Sequence, residues 1–326
     1  NNQLTELLDV IMKYLEVEDI EDLDIEKVFS ILSEIEGLKN SLIGYYLSSK
    51  PHGGDIIHSN FISSATNAIN SFASVGERLF IELKEFILDK LSSFSHEKAF
   101  DLYYSLFNGY DFNSNPLILF TTNYDLILEE AFSPKSSDIH QKWIERGVKD
   151  IYLGFKLKSI LPVFEFEIDR IYQPNTVSIL KLHGSINWRP HEDLIILGDK
   201  NPPNDPDVPF LIYPGYKGVA DEEPYFSLHF ALLDVLPKVK NLVAIGFAFR
   251  DSYINTIIRH ALSMNKDLRL HAIVPYFPSD SYFPSLQEAF GERVVHHRLK
   301  VVLEDDKAFL KNDEEIVENL FDLIES

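Results

Sequence analysis

The chain has 326 residues, of which 51 are acidic and 30 basic, for a formal net charge of −21. With 45% hydrophobic and 25% charged residues it has the balance of a folded protein that can bury a substantial core, in one large or two ordinary domains. The acidity argues against direct binding to DNA or RNA, which needs clustered Lys and Arg to displace counterions, and leaves small ligands and basic protein partners open.

The sequence contains no cysteine. Disulfides, zinc ribbons and thiol catalysis are thereby excluded, and a cytoplasmic location is the expectation. No apolar run approaches the roughly 18 to 20 residues that a membrane span needs, and no signal peptide is visible, so no membrane association is expected.

In chain order, Leu4, Leu7, Leu8, Ile11 and Leu15 fall at helical spacing. The acidic stretch Glu16–Asp24 reads as a connection and a first helical turn, where carboxylates suit the helix dipole. Ile25, Val28, Phe29, Leu32 and Ile35 mark a second amphipathic helix, and residues 65–92 repeat the pattern. Pro51-His52-Gly53-Gly54 is a turn. Residues 1–112 are therefore expected to form a helical module.

The pattern changes at Pro116. Leu117–Phe120 is a short unbroken apolar run, as a strand buried on both faces of a parallel sheet requires, and Thr121-Thr122-Asn123-Tyr124-Asp125 follows it. A second strand, Val177–Leu182, ends in His183-Gly184-Ser185. A third, Leu242–Ile245, ends in Gly246-Phe247-Ala248-Phe249-Arg250-Asp251 and enters a helix through Ile254, Ile257, Ile258 and Leu262. A fourth runs from Leu268 to Val274. Strands alternating with helices predict an α/β fold: a Rossmann-like, mostly parallel, doubly wound sheet over residues 113–310, with the helical module added. Residues 133–176 read as an insertion, 200–225 as mostly loop, and 311–326 as a C-terminal helix.

In such sheets ligands bind outside the carboxyl ends of the strands. Three of the four strand ends carry unusual polar groups, which is what orienting a ligand requires. Each residue also has a plainer role open to it. Asn123 and Asp125 suit helix caps, His183 suits a core position with its ring satisfied, Gly246 suits a tight turn, and Asp251 suits the cap of the following helix. Tyr213–Lys217 reads equally as an aromatic lid over a nucleotide and as a plain turn. His296-His297 is not expected to hold a metal, because neighbours on a strand point to opposite faces. No Walker loop, nucleophile elbow or metalloprotease His-Glu pair is present, and no metal is expected.

Together, and in this order, Thr-Thr-Asn-Tyr-Asp, Leu-His-Gly-Ser and Ile-Gly-Phe-Ala-Phe-Arg-Asp resemble the sirtuin-like (silent-information-regulator) superfamily over roughly residues 113–275. The resemblance is greatest to its bacterial antiphage branch, which hydrolyses NAD, the substrate it implies here. It implies Asn123 and His183 as catalytic residues, with Asn123 at the nicotinamide ribose and His183 as general base. Thr122, Asp125, Ser185, Gly246, Phe247 and Ala248 are implied to line the NAD site. It further implies a defence role by NAD depletion (abortive infection) and a homo-oligomer. A separate partner is also implied, such as a HerA-type ATPase or an Argonaute-like protein. The alternatives are a catalytically silent module that senses NAD or ADP-ribose, an NAD-dependent protein deacylase, and a structural scaffold. The four cysteines of the deacylases' zinc ribbon are missing, which favours hydrolysis. The family's Gly-Ala-Gly-x-Ser phosphate loop does not occur before Thr121, so either it lies upstream of residue 1, which is the favoured expectation, or diphosphate binding is lost.

Overall fold

In the computed structural model, the described residues are 96–132, 137–198, 222–249, 251–274 and 282–298, the strands 300–304, 307–311 and 316–317, and Lys13. The chain divides into two compact units, Asn1–Ser93 with Leu211–Val219, and Phe94–Phe210 with Ala220–Ser326. All described residues but Lys13 lie in the second. The expected helices before residue 93, the Pro51–Gly54 turn and the Tyr213–Lys217 segment lie outside the described residues.

The second unit is α/β with parallel sheets, as expected. Helix α1 (His96–Leu106) precedes strand β1 (Leu117–Thr121), helices α2 (Ile127–Phe132) and α3 (Ser137–Glu145), and strand β2 (Asp150–Tyr152). Strands β3 (Phe155–Lys158) and β4 (Leu161–Phe164) lead to β5 (Thr176–Lys181), then β6 (Trp188–His191) and β7 (Leu194–Leu197). Helix α4 (Tyr225–Val235), strand β8 (Asn241–Ile245), helix α5 (Ser252–Met264) and strand β9 (Arg269–Val274) follow. Helix α6 (Tyr282–Phe290) and strands β10 (Val294–Arg298), β11 (Lys300–Glu304), β12 (Lys307–Lys311) and β13 (Ile316–Val317) complete the order.

One parallel sheet runs β1-β5-β2 and another β8-β9-β10. All six residues of β5 are buried, as a strand flanked on both edges and covered on both faces must be. In β1, Leu117 lies opposite Val177 and Thr121 opposite Lys181, so the two strands end level and present their following loops side by side. Strand β2 arises inside the segment expected to be an insertion. It is short and begins with an Asp, so its sequence lacks the apolar run that marks β1 and β5. Strands β3 and β4 of the same segment, with β6 and β7, form the antiparallel sheet β3-β4-β7-β6.

The core joins both parallel sheets, with Leu117, Val177, Ile179 and Ile273 in one buried cluster with Phe100, Phe107, Phe112, Phe132 and Trp143. Trp143 stacks on Phe132 at 4.5 Å, and its indole N–H donates to the Ala131 carbonyl at 2.8 Å, which satisfies the one polar atom of a ring otherwise surrounded by carbon. Residues 96–112 thus pack with the sheet, and the compact unit begins near residue 94, not 113, because Phe100, Phe107 and Phe112 bury themselves on its strands. Of the expected C-terminal helix over 311–326, the described residues Lys311, Ile316 and Val317 are strand. The β-branched pair Ile316-Val317 closes an antiparallel ladder with Leu310 and Lys311.

Candidate functional site

Three loops at the carboxyl ends of parallel strands meet here. The first follows β1. Asn123 is exposed at its crest, and its backbone N–H donates to Thr121 Oγ1 at 3.0 Å, which shapes the turn. Asp125 Oδ1 accepts the Ile127 N–H at 2.9 Å, so this carboxylate helps to start α2. Thr122 is half-buried beside Asn123.

The second loop follows β5 and is bonded to the first. Leu182 N–H donates to the Thr121 carbonyl at 2.8 Å and Ile186 N–H to the Tyr124 carbonyl at 3.0 Å. Lys181, only 3% exposed, extends from the last residue of β5 and gives its ammonium to the carbonyls of Tyr124 and Asp125 and to Glu129 Oε1. Sequence reasoning missed this lysine. A single Lys inside an apolar strand reads as an exposed edge residue, and only the register reveals the carbonyls above it. Ser185 has no exposed surface, and its Oγ has no hydrogen-bond partner among the described residues, so as placed it lies beneath the loop surface.

The third loop follows β8. Gly246 adopts φ +64°, the left-handed region, with no atom within 4 Å of where a Cβ would stand. Its need for glycine is conformational, and the open space above it admits a ligand close to the backbone. Phe249 also has positive φ, held by the Asn255 Nδ2 donation to its carbonyl at 2.6 Å. Phe247 meets Phe249 edge to face at 4.9 Å, and Ala248 between them is exposed.

His183 joins the second loop to the third. Its Nε2 lies 2.9 Å from Asp251 Oδ2, while Asp251 Oδ1 accepts the N–H groups of Tyr253 and Ile254 at 2.8 and 2.9 Å. Asp251 is thus the N-cap of α5, as read from the sequence, and also the partner of His183. Burial by itself raises the Asp251 pKa, but the His183 bond and the two amides outweigh it and hold the carboxyl below its usual range.

His229 on α4 is a further residue that the sequence did not disclose, since it stands in an apolar helix with no motif around it. It is buried, its Nδ1 lies 2.9 Å from the Tyr225 carbonyl, and its ring meets Tyr253 edge-on at 5.1 Å. Burial lowers its pKa, and the nearby His183 lowers it further. A neutral His229 therefore donates Nδ1–H to Tyr225.

Among the described residues no group of three or more His, Asp or Glu side chains could hold a metal ion, and no helix is long and apolar enough to cross a membrane. A family model described as a SIR2-like domain matches residues 117–295, which contain every strand end described above. No curated protein is matched by the chain.

Proposed function

The chain belongs to the SIR2-like domain family, and we propose that it is an NAD hydrolase whose general base is His183. SIR2-like domains are commonly NAD-dependent enzymes. The observation that carries the narrower reading is the His183–Asp251 pair at the strand ends. One ring nitrogen of a titratable imidazole is committed to a carboxylate, and the other has no hydrogen bond among the described residues.

In this reaction the bond between ribose C1 and the nicotinamide nitrogen breaks, and its electron pair leaves with nicotinamide. Water supplies the new oxygen on C1, and the surplus proton passes to the His183 imidazole. Asn123, exposed at the crest of the first loop, holds the ribose and the water. Gly246 gives the ligand room against the backbone, with Phe247 and Ala248 beside it. Asp125 contributes negative charge near the developing positive centre. The motif resemblance extends the proposal to a cytoplasmic, homo-oligomeric antiphage enzyme that depletes NAD with a HerA-type ATPase or Argonaute-like partner.

The test is nicotinamide release from NAD by the purified chain, alone and with the product of a neighbouring gene. The wild type should release nicotinamide, and Asn123→Ala and His183→Ala should each lose about 100-fold or more in rate while keeping the wild-type melting temperature. NAD binding by calorimetry with no release under either condition would replace this reading with that of a sensing module.

A further inference from the structure

The split use of the Asp251 carboxylate has a chemical consequence. Oδ1 is occupied by the two amides that open α5, and those amides fix the orientation of the whole group. Oδ2 is thereby aimed at His183 Nε2. An ionised carboxylate only accepts, so Nε2 must carry the hydrogen, and the lone pair of the neutral ring must lie on Nδ1. Among the described residues, the titratable groups facing His183 are Asp251 from the head of α5 and His229 from α4. With its Nδ1–H given to Tyr225, His229 keeps its own lone pair on Nε2 and has no proton there to offer the pair.

We propose that Asp251 is a positioning residue for His183, selecting the ring tautomer in which Nδ1 accepts the reaction's proton. The proposal rests on the hydrolase reading for its catalytic consequence, but the tautomer itself is a property of the chain alone. Asp251→Asn separates the two roles of the carboxylate. Asn caps a helix as well as Asp does, so Oδ1 still receives the Tyr253 and Ile254 amides. The amide nitrogen that replaces Oδ2 is a donor, which forces His183 Nε2 to accept and moves the ring hydrogen to Nδ1.

The experiment uses the full chain. Long-range ¹H–¹⁵N spectra at pH 8, with the His183 signals identified by their loss in His183→Gln, should show the Nε2–H tautomer in the wild type and the Nδ1–H tautomer in Asp251→Asn. In parallel, kcat for nicotinamide release should fall by about 100-fold or more in Asp251→Asn, with KM within about threefold and the melting temperature nearly unchanged. Asp251→Ala should lose both the activity and several degrees of melting temperature. An unchanged His183 tautomer in Asp251→Asn, or a kcat within about threefold of wild type in an active enzyme, overturns the proposal. A wild type that releases no nicotinamide while the tautomers differ as stated leaves the positioning role standing and removes the hydrolase reading instead.

Discussion

Lys181 is the residue on which the first two loops depend. Its ammonium is buried, and it replaces the water it has lost with two backbone carbonyls and Glu129, itself mostly enclosed and with Oε2 lacking a partner among the described residues. Removing one member of such a pair leaves a charge in a poorly solvated place, whereas removing both leaves none. Lys181→Met should therefore destabilise the chain by about 3 kcal/mol, and Lys181→Met with Glu129→Met should recover most of that loss. Urea unfolding of the two variants checks it. Under the hydrolase reading the double variant should still release nicotinamide slowly, because the Tyr124 and Asp125 carbonyls have lost the group that holds the Asn123 loop in place. Stability and positioning are then measured separately on one side chain.

At the scale of elements, α5 carries the most information. Ile254, Ile257, Ile258, Ala261 and Leu262 are buried along one face, at the spacing the sequence displays. Its far end is closed by Arg293, which donates to the carbonyls of Leu262, Asn265 and Leu268. Arg293→Met should cost about 2 kcal/mol by leaving those carbonyls unmet and, under the hydrolase reading, leave nicotinamide release unchanged, since it acts at the end away from Asp251. Thermal melting alongside the release assay tests both halves. Strands β1, β5, β8 and β9 fall within one or two residues of their expected bounds, because a run such as Leu-Ile-Leu-Phe between turn residues has few other ways to be buried. Strand β2 was illegible because Asp-Ile-Tyr gains its place only from pairing with Thr176–Ser178. The cap at Asp251 was legible as a local pattern. Its bond to His183 spans 68 residues of sequence and depends on two loops meeting, and the contacts of Lys181 with Tyr124, Asp125 and Glu129 and the ring contact of His229 with Tyr253 likewise join segments distant in sequence.

At the scale of the molecule, the buried imidazoles set a pH limit. His229 and His271 are both held neutral by burial, with pKa values below the usual imidazole value. In the unfolded chain they titrate near about 6.5, so as pH falls below that value the unfolded state takes up protons that the folded state refuses. Stability is then fully present above about pH 6.5 and declines as pH falls toward the lowered folded pKa values. Asp251 has the opposite shift in charge terms but the same direction of effect, and its contribution is lost only in stronger acid, below about pH 4. The melting temperature should fall between pH 7.5 and pH 5. It should fall less in a His229→Gln, His271→Gln double variant, which has the same −21 background of formal charge with His counted neutral.

The oxygens of Asp251 tie a folding event to a chemical one. One oxygen of a single carboxyl group holds the first turn of α5, and the other faces His183 Nε2. Helix ends open far more often than whole proteins unfold. Under the hydrolase reading and the positioning role proposed for Asp251, each such opening releases the carboxylate, lets the imidazole turn, and disarms His183 while the core is still intact. On that reading the fraction of time that one helical turn stays closed becomes a factor in the turnover rate, and anything that grips or loosens that turn acts as a throttle without ever touching the substrate.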